Sequence, residues 1–444
     1  MFKRIISVLL SVCLFLLCVG CKPVSRPLWV VFDLAENGVP YDSILGDLEW
    51  WLINDVGLEE QDIHFECLPL SGAERDTAID RIRTEIMSGG GPDVFVTQCF
   101  DDRNALFKIP EKAMEIDLFL PLDDYIANAK YAEWDRFTKT VMDAGRNEEG
   151  QQLVPLAYQL PVAMYRATDL EHTPSNMTWE ELRESEELQD AAVRVGAGFN
   201  ALGAFDFQID YILGDMADYR DEKLLFSEED LRKYTDEVCA ATKQYAVDKF
   251  FETEYCAKSS IGDDFNFTGG GTVEGGLNLN GAPLNGLREW DPLTLVPLYS
   301  KDGGCTAMVT AFAAINRNTQ RPEDAFAFLD LLLSTGRQAN AAIYRDYLYG
   351  SFGEAAMPMH EEIMSSKYPM GGKVYVNHTF TLTNQNFDTV CAVRDQITNV
   401  QFVGALNGVI EEMAAECFTA YQACDDYSSI VHDAYSSMKQ MMVE

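Results

Sequence analysis

The 444-residue chain predicts an α/β fold, and three stretches carry the prediction. Residues 73–97, AERDTAIDRIRTEIMSGGGPDVFVT, read as an amphipathic helix stopped by glycines and followed at once by a short apolar run. Residues 28–68 read as strand, helix, strand. Residues 306–336, TAMVTAFAAINRNTQRPEDAFAFLDLLLSTG, read as a buried strand and then a proline-started helix. Strands alternating with helices at this spacing build α/β layers.

The order of elements begins with a strand over 28–32, a polar turn, and a helix through Ile44, Leu48 and Trp51. A second strand over 63–68 precedes the helix of 73–87. There Ile79, Ile82 and Ile86 recur at helical spacing, while Arg75, Asp80, Arg81 and Glu85 occupy the polar remainder. Gly89, Gly90 and Gly91 tolerate positive φ, and Pro92 forbids continuation. Val94, Phe95 and Val96 are apolar on both faces, as expected of a strand covered on both sides in a parallel sheet. A phosphate-binding loop needs the reverse order, strand, glycines, then a helix N-terminus, and nothing like GK[ST] follows.

Farther along, residues 150–164 are apolar, proline-punctuated and without helical period. Thr178-Trp179-Glu180-Glu181 is a capping box, and Ser227 to Asp230 repeats its logic with a shorter acid. The second box opens a helix with Leu231, Tyr234, Val238 and Tyr245 in period. Residues 263–288 are dense in Gly and Asn and read as irregular. After the strand of 306–316, Pro322 suits the first helical position and Glu323 and Asp324 complement the dipole. Ala325, Phe326, Leu329, Leu332 and Leu333 make the buried stripe, closed by Gly336. A final helix carries Ile410, Met413, Cys417 and Tyr421 and leads to the acidic C-terminus.

The N-terminus predicts export. Lys3 and Arg4 precede an apolar run over 5–19, too short for a comfortable permanent span, so residues 1–20 read as a signal peptide. An uncleaved anchor or a soluble secreted form are the alternatives. Removing Lys3 and Arg4 takes the formal charge from -37 to -39. That acidity excludes nucleic acid as a natural partner and repels anionic membrane surfaces. It reads as solubility rather than a binding signature. Of the eleven cysteines, eight follow Cys21, with no CxxC among them, which argues against zinc. No disulfide pair is assignable.

Catalytic patterns are missing. His64, His172, His360, His378 and His432 are scattered, without HExxH, and GxSxG does not occur. Carboxylates are so abundant that a glycosidase dyad is not readable from sequence. The residues indicate no enzyme, cofactor or metal.

The helix ending in G-G-P-D before an apolar strand, and the strand ending in Ile315-Asn316 before the Pro322 helix, resemble segments of the extracellular solute-binding proteins of ABC importers, family 1. This sugar-binding class includes maltose-binding protein. Val19-Gly20-Cys21 resembles a bacterial lipobox, with Cys18 where Leu is more usual. The resemblance implies a two-lobed type II periplasmic-binding-protein fold with a hinged interlobe cleft. It also implies lipidation at Cys21, a lipidated linker over 21–27, one lobe from 28–158 and 301–340, and another from 159–300 and 341–444. The chain would stand as a monomer, held by its N-terminal lipid on the outer face of the bacterial cytoplasmic membrane. There it would bind a carbohydrate, an oligosaccharide by preference, and deliver it to an ABC permease.

Sugars are held by aromatic faces and by hydrogen-bonding side chains in fixed positions. The loops expected at the cleft carry these types: Asp33, Glu36 and Tyr41 after the first strand, then Gln98, Phe100, Asp102 and Arg103 after the third. The Asp102-Arg103 pair resembles a ligand-contacting pair of the maltose-binding branch, displaced by one residue. Tyr158 and Gln159 border the segment where the chain leaves the first lobe. Phe205, Asp206 and Phe207 align by pattern with a sugar-stacking aromatic pair, although both phenylalanines could be core. Trp290 stands beyond the place where relatives put a stacking Trp, and either replaces it or packs inside. Rival readings are a peptide, polyamine or cation on the same fold, or an anchored glycan-active enzyme or adhesin.

Overall fold

The computed structural model describes residues 26–34, 42–99, 104–160, 162–166, 170–188, 209–247, 293–334, 357–358, 388 and 391–443. The first strand, β1 (Leu28–Asp33), lies centrally in a parallel trio. It is followed by α1 (Asp42–Trp51), β2 (Ile63–Cys67), α2 (Gly72–Met87) and β3 (Val94–Gln98). β1 pairs parallel with both β2 and β3, with Val30 opposite Phe65 and Val94. Two crossovers lead in opposite directions from this arrangement, so α1 and α2 cover opposite faces.

In α2, Ile79 and Ile82 are fully buried and Ile86 is half-buried, as the spacing predicts. Arg75 departs from its expected polar face: it is 3 % exposed, drawn inward by Asp33. The helix ends where the glycines begin. Gly89 and Gly91 adopt φ of 81° and 91°, the left-handed region that disfavours a Cβ, while Gly90 does not need it. A Cβ on Gly91 would also stand 3.1 Å from the Ile86 side chain.

The sheet then becomes mixed. Helix α3 (Pro110–Glu115) leads towards β4 (Leu153–Gln159), which continues into β5 (Val162–Arg166). β6 (Leu293–Pro297) pairs antiparallel with β5 in a separate ribbon. β7 (Cys305–Ile315), buried throughout, is the long strand between the two regions. Its second half pairs antiparallel with β3 and β4, and its first half pairs parallel with β9 (Ile397–Phe402). A short β8 (Met357–Pro358) completes the order β8-β4-β7-β3-β1-β2, with β9 beside β7.

Helix α5 (Ile209–Leu213) packs on β7, α6 (Glu228–Val247) and α8 (Ala405–Ala423) pack on α5 and on each other, and α9 (Ser428–Val443) packs on α6 and α8. Helix α4 (Trp179–Glu184) carries the expected capping box. Thr178 Oγ1 accepts from Glu181 N at 3.2 Å, and Thr178 N donates to Glu181 Oε2 at 2.8 Å. Ser227 and Asp230 exchange the equivalent bonds at 3.1 and 2.9 Å. The C-terminal region departs from expectation: the period of Ile410, Met413 and Cys417 belongs to α8, and a further helix, α9, follows it. Cys424 at φ 60° makes the left-handed stop between them.

Helix α7 (Pro322–Leu332) covers the face of α1, its Phe328 ring 6.3 Å from Phe32. Its Asp330 is buried and accepts backbone N–H bonds from Lys130, Tyr131 and Ala132 at 2.7, 2.9 and 3.0 Å, and the Trp134 indole N–H at 2.8 Å. The seven cysteines of the described residues are free thiols. Among the described residues no helix is long and apolar enough to cross a membrane.

Candidate functional site

Parallel pairing places the carboxyl ends of β1 and β3 side by side, because Asp33 stands opposite Thr97. The row continues across the sheet. Thr97 faces Phe312, Gln98 faces Ala311, and Ala311 faces Ala157, one residue before Tyr158. The crevice outside the carboxyl ends of parallel strands is where α/β sheets take ligands. The sequence that follows these ends, 35–41 and 100–103, carries Glu36, Tyr41, Phe100, Asp102 and Arg103 among the residues expected to bind solute.

Strand alternation divides the row between two faces. Asp33 and Thr97 share the face covered by α2, with Thr310 two residues before Phe312. Gln98 falls on the opposite face, so Asp33 and Gln98 are neighbours in the row without converging. Thr97 and Thr310 are 3 % and 7 % exposed, and neither hydroxyl has a hydrogen-bond partner among the described residues. Sequence reasoning missed both, though a threonine within each largely apolar strand was the available signal.

Asp33 organises this edge from within. Arg75 Nη1 and Nη2 donate to its two carboxylate oxygens at 2.7 and 3.1 Å, and Leu106 N donates at 3.2 Å. Arg75 Nε also reaches Asn104 O at 3.1 Å, and Nη1 reaches Pro69 O at 3.1 Å. The carboxylate is 1 % exposed, so Asp33 anchors the start of 104–106 and presents no free acceptor. Tyr158, expected at a cleft floor, is fully buried, its hydroxyl 3.4 Å from Thr138 Oγ1 and pushed up by burial. Gln98 is half-buried at the edge, and Gln159 ends β4, its side chain outside the described residues. Glu36, Tyr41, Phe100, Asp102, Arg103, Phe205, Asp206, Phe207, Trp290 and the lipidation candidate Cys21 lie outside the described residues.

The two motifs that carried the family resemblance meet at the far end of the sheet. Asp93 of the G-P-D turn accepts Trp29 N at 2.9 Å, Arg26 at 2.7 Å and Thr319 Oγ1 at 2.6 Å. Asn316 Nδ2 donates to Gly90 O and Pro92 O, both at 2.8 Å. These residues clasp β1, β3 and β7 at their opposite ends from the crevice. Their work is architectural.

A second polar locus adjoins the end of β9. Glu111 of α3 accepts Phe402 N at 3.0 Å through Oε1, while Oε2 is buried without a partner. Burial pushes this carboxyl up to about 7, against which the Phe402 bond acts only in part. Cys99, Asp215 and Tyr219 are likewise pushed up by burial, and the Glu111 charge adds to the shift of Cys99 and Tyr219. The sign follows from the direction. A carboxyl that holds its proton more tightly when folded gives its full contribution below its ordinary value of 4.5 and loses it as pH rises through about 7. Urea unfolding across that range should show wild type losing roughly 3 kcal/mol relative to Glu111→Gln. Parallel pH profiles for the two proteins would refute the shift.

The model for bacterial extracellular solute-binding proteins matches residues 70–339, more than half of the chain. A search of curated proteins finds no match. Among solved structures, a family 1 extracellular solute-binding protein from Alicyclobacillus acidocaldarius superposes with a TM-score of 0.54 at 14% identity, covering 96% of this chain and 100% of its own. The sugar-binding protein MalE of Xanthomonas citri gives 0.54 at 16%, covering 93% and 97%. The GacH receptor of Streptomyces glaucescens, solved unliganded and with acarbose, gives 0.52 at 13%, covering 93% and 98%. At such identities the likeness speaks for the fold, and the family match speaks for kinship. The chain belongs to the bacterial extracellular solute-binding proteins of family 1, and its α/β architecture is their two-lobed type II periplasmic-binding-protein fold.

Proposed function

We propose that this protein captures a carbohydrate, an oligosaccharide by preference, outside the cytoplasm and delivers it to an ABC import permease. The observation that carries the reading is the row of strand ends from Asp33 through Gln98 to Ala157, and the sequence that follows two of those ends, 35–41 and 100–103, is rich in sugar-binding residue types. Sugar ligands are named for the MalE and GacH structures, which supports the substrate class. One lobe is taken as 28–158 with 301–340, and the other as 159–300 with 341–444. Solute bridging the two shifts an open–closed equilibrium by its greater affinity for the closed state. Binding by shape and hydrogen bonds requires no covalent chemistry.

Lipid on Cys21 keeps the protein at the outer face of the membrane in this reading, and Cys21→Ser should release it into the soluble fraction. Continued membrane association of that variant would transfer the anchoring to the apolar run itself. For the solute, thermal unfolding of the lipid-free mature protein against mono- and oligosaccharides, peptides, polyamines and metal ions is the direct test. A ligand at a hundred times its dissociation constant adds about 2.7 kcal/mol to stability. Asp102→Ala combined with Arg103→Ala should then weaken the responding sugar about tenfold or more, with folding little changed. A response confined to peptides, polyamines or cations would overturn the carbohydrate assignment and keep the family.

A further inference from the structure

Residues 216–225 form a hairpin that contributes nothing to the strand-end row. Ala217–Asp218 pairs antiparallel with Lys223–Leu224, and Asp218 Oδ1 shapes the tip by accepting Arg220 N and Asp221 N at 3.1 and 2.9 Å. The base of the hairpin belongs with the C-terminal helices. Helix α9 packs on 223–224, and its Tyr435 hydroxyl donates to Phe226 O at 3.3 Å. The tip reaches elsewhere. Arg220 Nη1 and Nη2 donate to Glu148 Oε1 and Oε2 at 2.6 and 2.9 Å, and Glu222 stands 4.0 Å from Lys112 Nζ. Lys112 lies on α3, and Glu148 lies in the turn between Arg146–Asn147 and Gly150–Gln151 that precedes β4. With the lobes divided as above, the hairpin belongs to one lobe and both of its charged partners belong to the other.

Two features make this contact separable. The ion pair is open to water, with Arg220 62 % and Glu148 77 % exposed, so parting it strands no buried charge. The hairpin also meets the other lobe across open space rather than a packed core. Cavities of about 300 and 400 Å³ flank the contact, one beside Met114 and Ala144 and the other beside Ile116 and Asn147. The bidentate geometry nevertheless fixes how the two groups approach. Glu149, next to Glu148, pairs with Arg317 just beyond β7, which holds the partner turn at the end of the sheet away from the crevice. The contact therefore acts from outside the solute site.

We propose that the 216–225 hairpin is an electrostatic clasp between the lobes, in which the Arg220–Glu148 pair favours the lobe placement that forms it and so tunes solute affinity from outside the crevice. The inference rests on the lobe division and hinge closure given under the proposed function. A contact made in one lobe placement and lost in the other moves the equilibrium by its own free energy, which for an exposed ion pair is a factor of up to about five. Salt weakens such a pair, so ionic strength becomes a second control on the same equilibrium.

The test compares wild type with Glu148→Arg, with Arg220→Glu, and with the two reversals combined in one chain. Small-angle X-ray scattering of the lipid-free protein, with no solute present, reads the lobe placement directly. Each single reversal should change the radius of gyration at low salt, the combined exchange should return it to the wild-type value, and about 1 M NaCl should narrow the differences. Titration with the solute returned by the stability screen should show both single reversals shifting the dissociation constant about threefold or more in the same direction, and the exchange restoring it. Circular dichroism checks that each variant folds. An unchanged radius of gyration in both single reversals, a change that the exchange does not reverse, or an affinity that ignores the shift would overturn the clasp. Because the scattering needs no solute, that failure is distinct from a failure of the carbohydrate assignment.

Discussion

Asp330→Ala should destabilise the protein by roughly 2–4 kcal/mol, since it strips four partly buried N–H groups of their charged acceptor at once. The carboxylate takes Lys130 N and Tyr131 N on one oxygen, and Ala132 N and the Trp134 indole on the other. Asp330 itself is only 2 % exposed, so the carboxylate is held inside while the turn it caps lies nearer the surface. Asp330→Asn should recover less than half of the loss. Its amide nitrogen must face one of the two pairs of donors, whichever way it turns. Urea unfolding of the two variants measures both effects. A cost below about 1 kcal/mol for alanine would show that the 130–134 turn is held by its aromatic packing, Trp134 on Phe326 at 5.8 Å, rather than by the carboxylate.

Arg75→Met should cost roughly 3–5 kcal/mol, because it leaves the Asp33 carboxylate buried without its counter-charge. Restoring neutrality with Asp33→Asn in the same chain should return part of that loss. If the double variant is no more stable than Arg75→Met alone, the loss comes from the arginine's bonds to Pro69 O and Asn104 O and not from the stranded charge. The same pair should matter to binding. Asp33 and Arg75 fix residues 104–106, directly after the 100–103 segment, so Arg75→Met should lower solute affinity even where the protein remains folded. Calorimetry with the sugar found by the stability screen reads this directly.

Much of the local structure was legible because it is local chemistry. The isoleucine period of α2, the glycine stop, and the two capping boxes each need only residues a few positions apart. Pro322 and the apolar stripe of α7 belong to the same class. Charge and the missing catalytic motifs, also properties of the chain alone, pointed away from nucleic acid and enzymes. The second C-terminal helix was hidden because its start depends on a left-handed Cys424, which no period announces.

Long-range partners were not legible, and they change what several residues do. Arg75 reads as a solvated helix charge until β1 brings Asp33 beside it across forty-two positions. Asp33 reads as a solute contact until Arg75 and Leu106 consume both of its oxygens. The G-P-D and Ile-Asn motifs identify the family, yet only the pairing of β3 with β7 shows that they clasp one another at the end of the sheet away from the crevice. Glu111 and Phe402, nearly three hundred positions apart, carried no signal at all until the fold set the carboxyl on the Phe402 amide. Sequence by itself determined the family, the α/β class and the order of elements, since these follow from period, caps and breakers along the chain. Tertiary structure decided which polar groups are spent on architecture and which remain available to a ligand, because that depends on burial and on partners that only folding brings within a hydrogen bond's reach.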